Sequence, residues 1–241
     1  MTASGLRALH HGRAPGDPLV LPGPWDAASA RVLADAGFPA LALPSAGVAA
    51  SLGYEDGETP ADEMFAAVAR IARAVPVPVS ADIEAGYGLP PAELVERLLA
   101  AGAVGCNLED TVDGVLLDAG RQADRLAAVR AAAGDALFVN ARIDTYVTGV
   151  PEGVDPAAET LRRARLYAAA GADCLYPILA PPEVFGPLAD ALPGLPLNAL
   201  AVPDGPGPRR LGELGATRIT FGPGLQRRAM AALRAIVDGL R

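Results

Sequence analysis

The 241-residue chain contains no lysine; its 20 basic residues are all arginine. A Schiff-base aldolase, a Schiff-base decarboxylase and a covalent pyridoxal-phosphate enzyme each need a side-chain amine, so all three are excluded. A Walker A nucleotide site is excluded for the same reason. Histidine is scarce: His10 and His11 stand side by side near the N-terminus, which argues against a histidine general base. The two cysteines, Cys106 and Cys174, each lie in an apolar run and read as reduced, structural thiols. No run of about eighteen apolar residues occurs, so no membrane span is expected. The opening "MTASGLRALHHGRAPGDP" lacks an apolar core of signal-peptide length. The expected location is the cytoplasm. Positive charge is also lacking overall: the net charge of −8 gives no support to a nucleic-acid partner. Any chemistry must therefore run on carboxylates, arginine, hydroxyls, backbone amides or a bound metal.

What is present is apolar and regularly spaced. Hydrophobic residues make up 51% of the chain and the mean hydropathy is +0.27, enough for one large core. Short apolar runs alternate with Ala/Leu/Arg-rich stretches of helical spacing. The runs are "LVLP", "ALALPS", "VPVSAD", "VGCNLED", "LFVNAR", "CLYPIL", "LNALA" and "RITFG", beginning at residues 19, 40, 77, 104, 137, 174, 197 and 218. Each is followed by a helical stretch, the last over 224–239. Strand–helix alternation implies a parallel sheet, and eight such units in a chain of this length imply a (β/α)8 barrel filling residues 1–241 as one domain. An open, doubly wound sheet is the second option; no GxGxxG follows the first strand to support it.

Active sites of such barrels lie at the C-terminal strand ends. Strand two ends in Ser45, with the small-residue turn "SAGVA" beyond it. Strand three ends in Asp82 and Glu84, strand four in Glu109 and Asp110, strand five in Arg142 and Asp144, and strand seven contributes Asn198. Residues i and i+2 of a strand share a face, so Asp82 and Glu84 are expected side by side, where like charges repel unless a cation or proton intervenes. Oxygen-only ligands favour a hard cation, Mg2+ or Mn2+. Asp82 is the expected direct ligand, with Glu84 and Glu109 in support. Open positions would take a keto acid, Arg142 would grip a carboxylate with its planar fork, and backbone amides around Ser45 and Gly47 would form an oxyanion pocket. Two other readings stay open: a phosphate-binding isomerase barrel, suggested by "TFGPG" after the last strand, and an inactive barrel used for binding.

At these same residues the sequence resembles the isocitrate lyase/phosphoenolpyruvate mutase superfamily. The segments "PGPWDAASARVLADAGFPALALPSAGVAASLGYEDGE", "SADIEAGYG", "GAVGCNLED" and "NARID" carry the resemblance, which covers about residues 7–235. It implies a (β/α)8 fold and Mg2+-dependent chemistry on small α-keto acids or phosphonates. It places Asp82, Glu84 and Glu109 at the metal, Arg142 on a carboxylate, Ser45 and Gly47 at the oxyanion, and Asp56 near the reacting group. It also implies a homodimer or homotetramer, often made by exchanging the last helix. This chain's last helix, with Met230, Leu233 and Ile236 at helical spacing, reads instead as core. One segment departs from the pattern. Isocitrate and methylisocitrate lyases carry a "KKCGH"-like loop after the fourth strand, and the phosphonate mutases a loop with lysine and asparagine. Here the stretch is "EDTVDGVLLDAGRQ", with no Cys, His, Lys or Asn. The expected activity is therefore an Mg2+-dependent carbon–carbon lyase or decarboxylase on an oxaloacetate-type acid or a substituted malate. Phosphonate P–C bond mutase or hydrolase chemistry is the alternative.

Overall fold

The computed structural model describes residues 2–240. Eight parallel strands form a curled sheet in two arcs. The larger arc runs β2 (Leu41–Leu43), β3 (Val79–Asp82), β4 (Gly105–Leu108), β7 (Phe138–Ile143) and β8 (Cys174–Pro177); the smaller runs β1 (Leu19–Val20), β10 (Arg218–Thr220) and β9 (Asn198–Leu200). The junctions between the arcs are narrow. One is a single bridge, Leu175 to Leu197; at the other the Ala42 N–H donates to Pro22 O at 3.1 Å. The continuous eight-stranded ladder expected from the alternation is thus a five- and a three-stranded sheet, because β1 and β9 are too short to extend the pairing.

Each parallel strand starts within a few residues of an expected apolar run, and the alternation within it divides inside from outside. Val79, Ala81, Cys106, Leu108, Val139, Ala141, Ile143, Leu175 and Ile219 face the helices and join their apolar sides in one core. That helical layer includes α2 (Ala27–Asp35), α4 (Ala61–Ala74), α5 (Pro91–Ala100), α6 (Ala119–Ala133), α7 (Pro156–Ala169), α8 (Phe185–Ala191) and α9 (Pro208–Glu213). The intervening strand residues face inward and are largely polar: Ser80, Asp82, Asn107, Asn140, Arg142, Asn198, Arg218 and Thr220. Parallel strands covered on both faces normally read as continuous apolar runs. These do not, and the interruptions carry the site.

Three elements were not anticipated. Helix α1 (Ala3–His10), capped by Thr2, lies under the N-terminal strand ends. Its Leu6 and Ala3 pack with Leu19, Leu21, Val104 and Phe138, and buried His10 stacks on Phe138 with ring centroids 4.2 Å apart. Helix α3 (Ser45–Leu52) occupies the stretch read as a turn; its small residues gave too weak a helical signal. The departing loop after β4 is a tight antiparallel hairpin, β5 (Thr111–Val112) and β6 (Val115–Leu116). Asp113 and Gly114 turn it with φ of +49° and +75°, the left-handed pair that a two-residue hairpin turn requires.

The last helix, α10 (Gly224–Asp238), corrects an expectation. None of its residues is buried, and Met230, Leu233, Ile236 and Val237 are all exposed. The stripe read as core has no core to enter within one protomer.

Candidate active site

Strand β3 stops at Asp82, and the next residues turn rather than continue. Glu84 is left-handed (φ +52°), and the Gly86 N–H donates to Ile83 O at 2.8 Å. Asp82 and Glu84 therefore converge through a turn, not through the strand alternation expected of them. Asp82 Oδ1 accepts the Glu84 N–H at 3.2 Å, and Asp82 Oδ2 accepts from Asn107 Nδ2 at 3.3 Å. The Glu109 N–H donates to Glu84 O at 2.9 Å, tying the ends of β3 and β4 together. Arg142, inward from β7, joins the acids. Its Nη1 pairs with Glu109 Oε1 and lies 3.9 Å from Asp82 Oδ2, and its Nε donates to Asp144 Oδ1 at 2.6 Å. Glu84 Oε1 and Asp144 Oδ2 are buried without a partner.

These groups open onto a cavity of about 600 Å³ at the C-terminal strand ends, lined by Asp56, Glu84, Tyr87, Glu109, Arg125 and Arg142 among others. The β5–β6 hairpin forms one wall. Burial raises the Asp82 carboxyl, and burial followed by the Asp82 charge raises Glu84 to about 7 and Glu109 to about 9. Arg142 pulls all three back. Burial acts to discharge Arg142, but Glu109, Asp144 and Asp82 outweigh it and hold the guanidinium charged. The site has more negative charge than its one engaged arginine offsets.

The sign of the pH dependence follows. The folded state keeps protons on Glu84 and Glu109 that the unfolded chain gives up above its value of 4.5, so stability falls as pH rises from there toward 7 and 9. His10 is held neutral, at about 3, by burial and by Arg218, so its own contribution no longer changes above 6.5. Between pH 6.5 and 9 the carboxylates dominate. Thermal unfolding of chelator-treated protein will show a midpoint that declines across this window; a flat profile would show that the acids are not so crowded.

Asp110 does not join the cavity. It is fully buried and turned outward: Oδ2 accepts from Arg163 Nη1 (2.8 Å) and the Tyr167 hydroxyl (2.7 Å) on α7, and Oδ1 accepts the Asp144 N–H (2.8 Å). Its task is to fix the ends of β4 and β7. Ser45 is buried at the first turn of α3, where the first helical bond runs from the Val48 N–H to Pro44 O; amides 45–47 therefore lack helical partners. A Cβ on Gly47 would lie 3.0 Å from Pro44 Cγ. Neither residue lines the main cavity. Asn198 is wholly buried deeper inside, accepting from Thr220 Oγ1 at 3.2 Å. Asp56 stands exposed at the cavity lip.

A buried polar chain beneath the acids escaped sequence reasoning. Asn140 Nδ2 donates to Asn107 Oδ1 (2.8 Å), and Arg218 Nη2 reaches the same oxygen at 3.5 Å. The Tyr176 hydroxyl lies 3.4 Å from Thr220 Oγ1, which can accept from it while giving its own proton to Asn198. The available signal was a polar residue two before each strand-end group: Asn107 before Glu109, and Asn140 before Arg142. Cys106 and Cys174 are buried free thiols, each pushed up to about 12 chiefly by burial, too high for a nucleophile.

A curled parallel α/β sheet with acids and an arginine at its C-terminal mouth is the arrangement in which barrel-type enzymes carry their active sites. The chain belongs to the phosphoenolpyruvate phosphomutase family, whose sequence profile matches residues 6–241, and so to the isocitrate lyase/phosphoenolpyruvate mutase superfamily. A provisionally assigned phosphonomutase from Burkholderia cenocepacia J2315 is 42% identical, with 99% of this chain and 98% of that one covered and a TM-score of 0.89. A 2,3-dimethylmalate lyase is 32% identical over 100% of this chain and 87% of that one, with a TM-score of 0.86. An oxaloacetate acetylhydrolase, solved with the product oxalate, is 27% identical over 99% and 86%, also at 0.86. Superfamily members are thus lyases, hydrolases and mutases of small acids.

Proposed function

We propose that the protein is a magnesium-dependent lyase or decarboxylase that cleaves a carbon–carbon bond in a small α-keto or hydroxy dicarboxylic acid. The observation that carries this reading is the gathering of Asp82, Glu84 and Glu109 around one arginine, with Glu84 Oε1 buried and unpaired. Oxygen donors of this kind suit Mg2+, with Mn2+ as a substitute. Among the described residues no three such side chains are close enough to hold a metal ion directly. This fits a magnesium that keeps several waters, with Asp82 as direct ligand and Glu84 and Glu109 holding those waters. Held there by Asp82, Glu84 and Glu109, such a cation would supply Lewis-acid stabilisation of negative charge on a substrate carbonyl oxygen. Arg142 orients the substrate carboxylate, and the free amides at 45–47 offer hydrogen bonds to a developing oxyanion. Asp56, at the lip, is placed to take or return a proton at the reacting carbon. Asn198 supports the floor of the pocket through Thr220. In this reading the two arcs of strands close into a (β/α)8 barrel within a single domain, and the protein works in the cytoplasm.

The test is a panel of oxaloacetate, 2,3-dimethylmalate, methylisocitrate, phosphonopyruvate and phosphoenolpyruvate with Mg2+, followed by proton and phosphorus NMR. Pyruvate with CO2, oxalate with acetate, or a retro-aldol pair from the malate supports the reading. Turnover confined to the phosphonates would replace it with P–C bond chemistry, and turnover of methylisocitrate would contradict the argument from the absent cysteine. Among the described residues no helix is long and apolar enough to cross a membrane. The apolar face of α10, with Met230, Leu233, Ile236 and Val237 exposed, calls for an occupant. A second copy of the chain, in a homodimer or homotetramer, fits it. Leu233→Asp will then reduce the mass seen by light scattering to one chain without lowering secondary structure, since no α10 side chain is buried in the protomer.

A further inference from the structure

Arg125 is the unexplained cation of the cavity. It lies on α6, half-buried, and its side chain lines the cavity wall. Burial alone acts on its charge, in the discharging direction; among the described residues no carboxylate offsets it. Of the arginines near this mouth, Arg142 is engaged by Glu109 and Asp144 and Arg163 by Asp110 and Glu159; Arg218, buried beneath the acids with Nε and Nη1 unpartnered, does not line the cavity. An unpaired charge withdrawn from water is costly, and it persists where a ligand supplies the missing partner.

The surroundings are shaped for the guanidinium. A Cβ built on Gly86 would fall 2.7 Å from Arg125 Nη2, 3.0 Å from Leu94 Cδ2 and 3.4 Å from Leu108 Cδ1. Gly86 also has φ +79°, so glycine both makes the turn and leaves the space that Arg125 fills. Two further polar atoms on the same cavity lack partners. Thr111 Oγ1, on the hairpin, and the Tyr87 hydroxyl, beside Gly86, are both buried and unbonded. With Nε and one Nη1 hydrogen given to Asp144 and Glu109, Arg142 keeps Nη2 and the other Nη1 hydrogen, a donor pair for the one substrate carboxylate already assigned to it.

We propose that Arg125, with the Thr111 and Tyr87 hydroxyls, forms a second oxyanion subsite, so that the substrate is a dianion whose far carboxylate or phosphonate docks there. The subsite rests on the cavity being the substrate site, as argued above. It assigns the second anionic group of such an acid its place: an acid with one carboxylate would leave Arg125 uncompensated, whereas a second carboxylate or a phosphonate satisfies it.

Calorimetry with Mg2+ tests this with three probes: pyruvate, with one anionic group; 3,3-difluorooxaloacetate, which adds a carboxylate; and 3-phosphonopyruvate, which adds a phosphonate. The parent protein will bind the dianions about 10- to 100-fold more tightly than pyruvate, the range of a charge-assisted hydrogen bond. Arg125→Met will remove most of that preference while leaving pyruvate affinity unchanged, and Arg125→Lys will restore part of it. Thr111→Val repeats the test without touching the arginine and will cost the dianions alone about 3- to 10-fold. A preference in Arg125→Met within twofold of the parent's, with pyruvate still bound, would overturn the subsite and leave the proposed function standing. Failure of the parent to bind even pyruvate would overturn both.

Discussion

Arg142→Ala will lower kcat/KM for any keto-acid substrate by about 10³-fold or more, the scale on which a positioned, charge-matching donor contributes to catalysis. The same change will alter stability in a pH-dependent way. In the parent, Arg142 engages Glu109 and Asp144 and stands 3.9 Å from Asp82. Without it, three carboxylates share a buried site with no counter-ion. Removing one partner of a buried pair costs about 3–5 kcal/mol. Here the loss will be largest above pH 7 and will shrink on acidification, as Glu109 and its neighbours take up protons. Added Mg2+ will recover part of it if the acids hold that ion. Arg142→Lys keeps a charge but not the fork, and will fall between parent and alanine in activity. Activity near the parental level in the alanine variant would remove Arg142 from the mechanism, whatever its effect on stability.

Asp110→Ala will destabilise the protein by about 3–5 kcal/mol, although the residue never meets the cavity. It holds Arg163, the Tyr167 hydroxyl and the Asp144 N–H at once, all buried. Each loses this acceptor, and Arg163 keeps Glu159, the Leu117 carbonyl and the Tyr167 hydroxyl. In a chain of this size the thermal midpoint should drop by about 10 °C. Activity of the folded fraction will fall too, because Asp144 loses the bond that sets it and Asp144 in turn aims Arg142. Asp110→Asn keeps an acceptor for the Asp144 N–H and will show a smaller stability loss with more of the activity retained. Denaturant unfolding beside kcat/KM separates the two effects. Equal stability for Asp110→Ala and the parent would show that the α7 latch carries no load.

Asp110 also marks where the sequence stops being readable. The strand positions were legible because apolar runs of four to six residues punctuated by proline and glycine have few other uses. The strand-end acids were legible because a carboxylate closing such a run is costly without a purpose. Which way each acid turns was not. Glu109 and Asp110 are adjacent and chemically alike, yet one faces Arg142 and the other Arg163. That choice is made by partners more than thirty positions away. The inward layer of Asn107, Asn140 and Arg218 was hidden for a related reason: inside mostly apolar strands each reads as an isolated polar interruption, and only the register of β4, β7 and β10 shows them meeting. Helix α10 failed differently. Its apolar stripe reads as core, and it is not: periodicity shows a face that needs cover but not whether the cover lies in the same protomer.

Helix α1, seated beneath the N-terminal strand ends, has a consequence for traffic. With His10 stacked on Phe138 and Leu6 packed under Gly105, the floor of the strand assembly is stoppered. Under the proposed activity, reactant and both fragments would then share the C-terminal mouth, where Arg142 lines both the hairpin-walled cavity and a second one toward α10. The fragment that keeps the oxyanion contacts will leave last and will compete directly with incoming acid, so turnover at high conversion should slow by simple competition for the threshold.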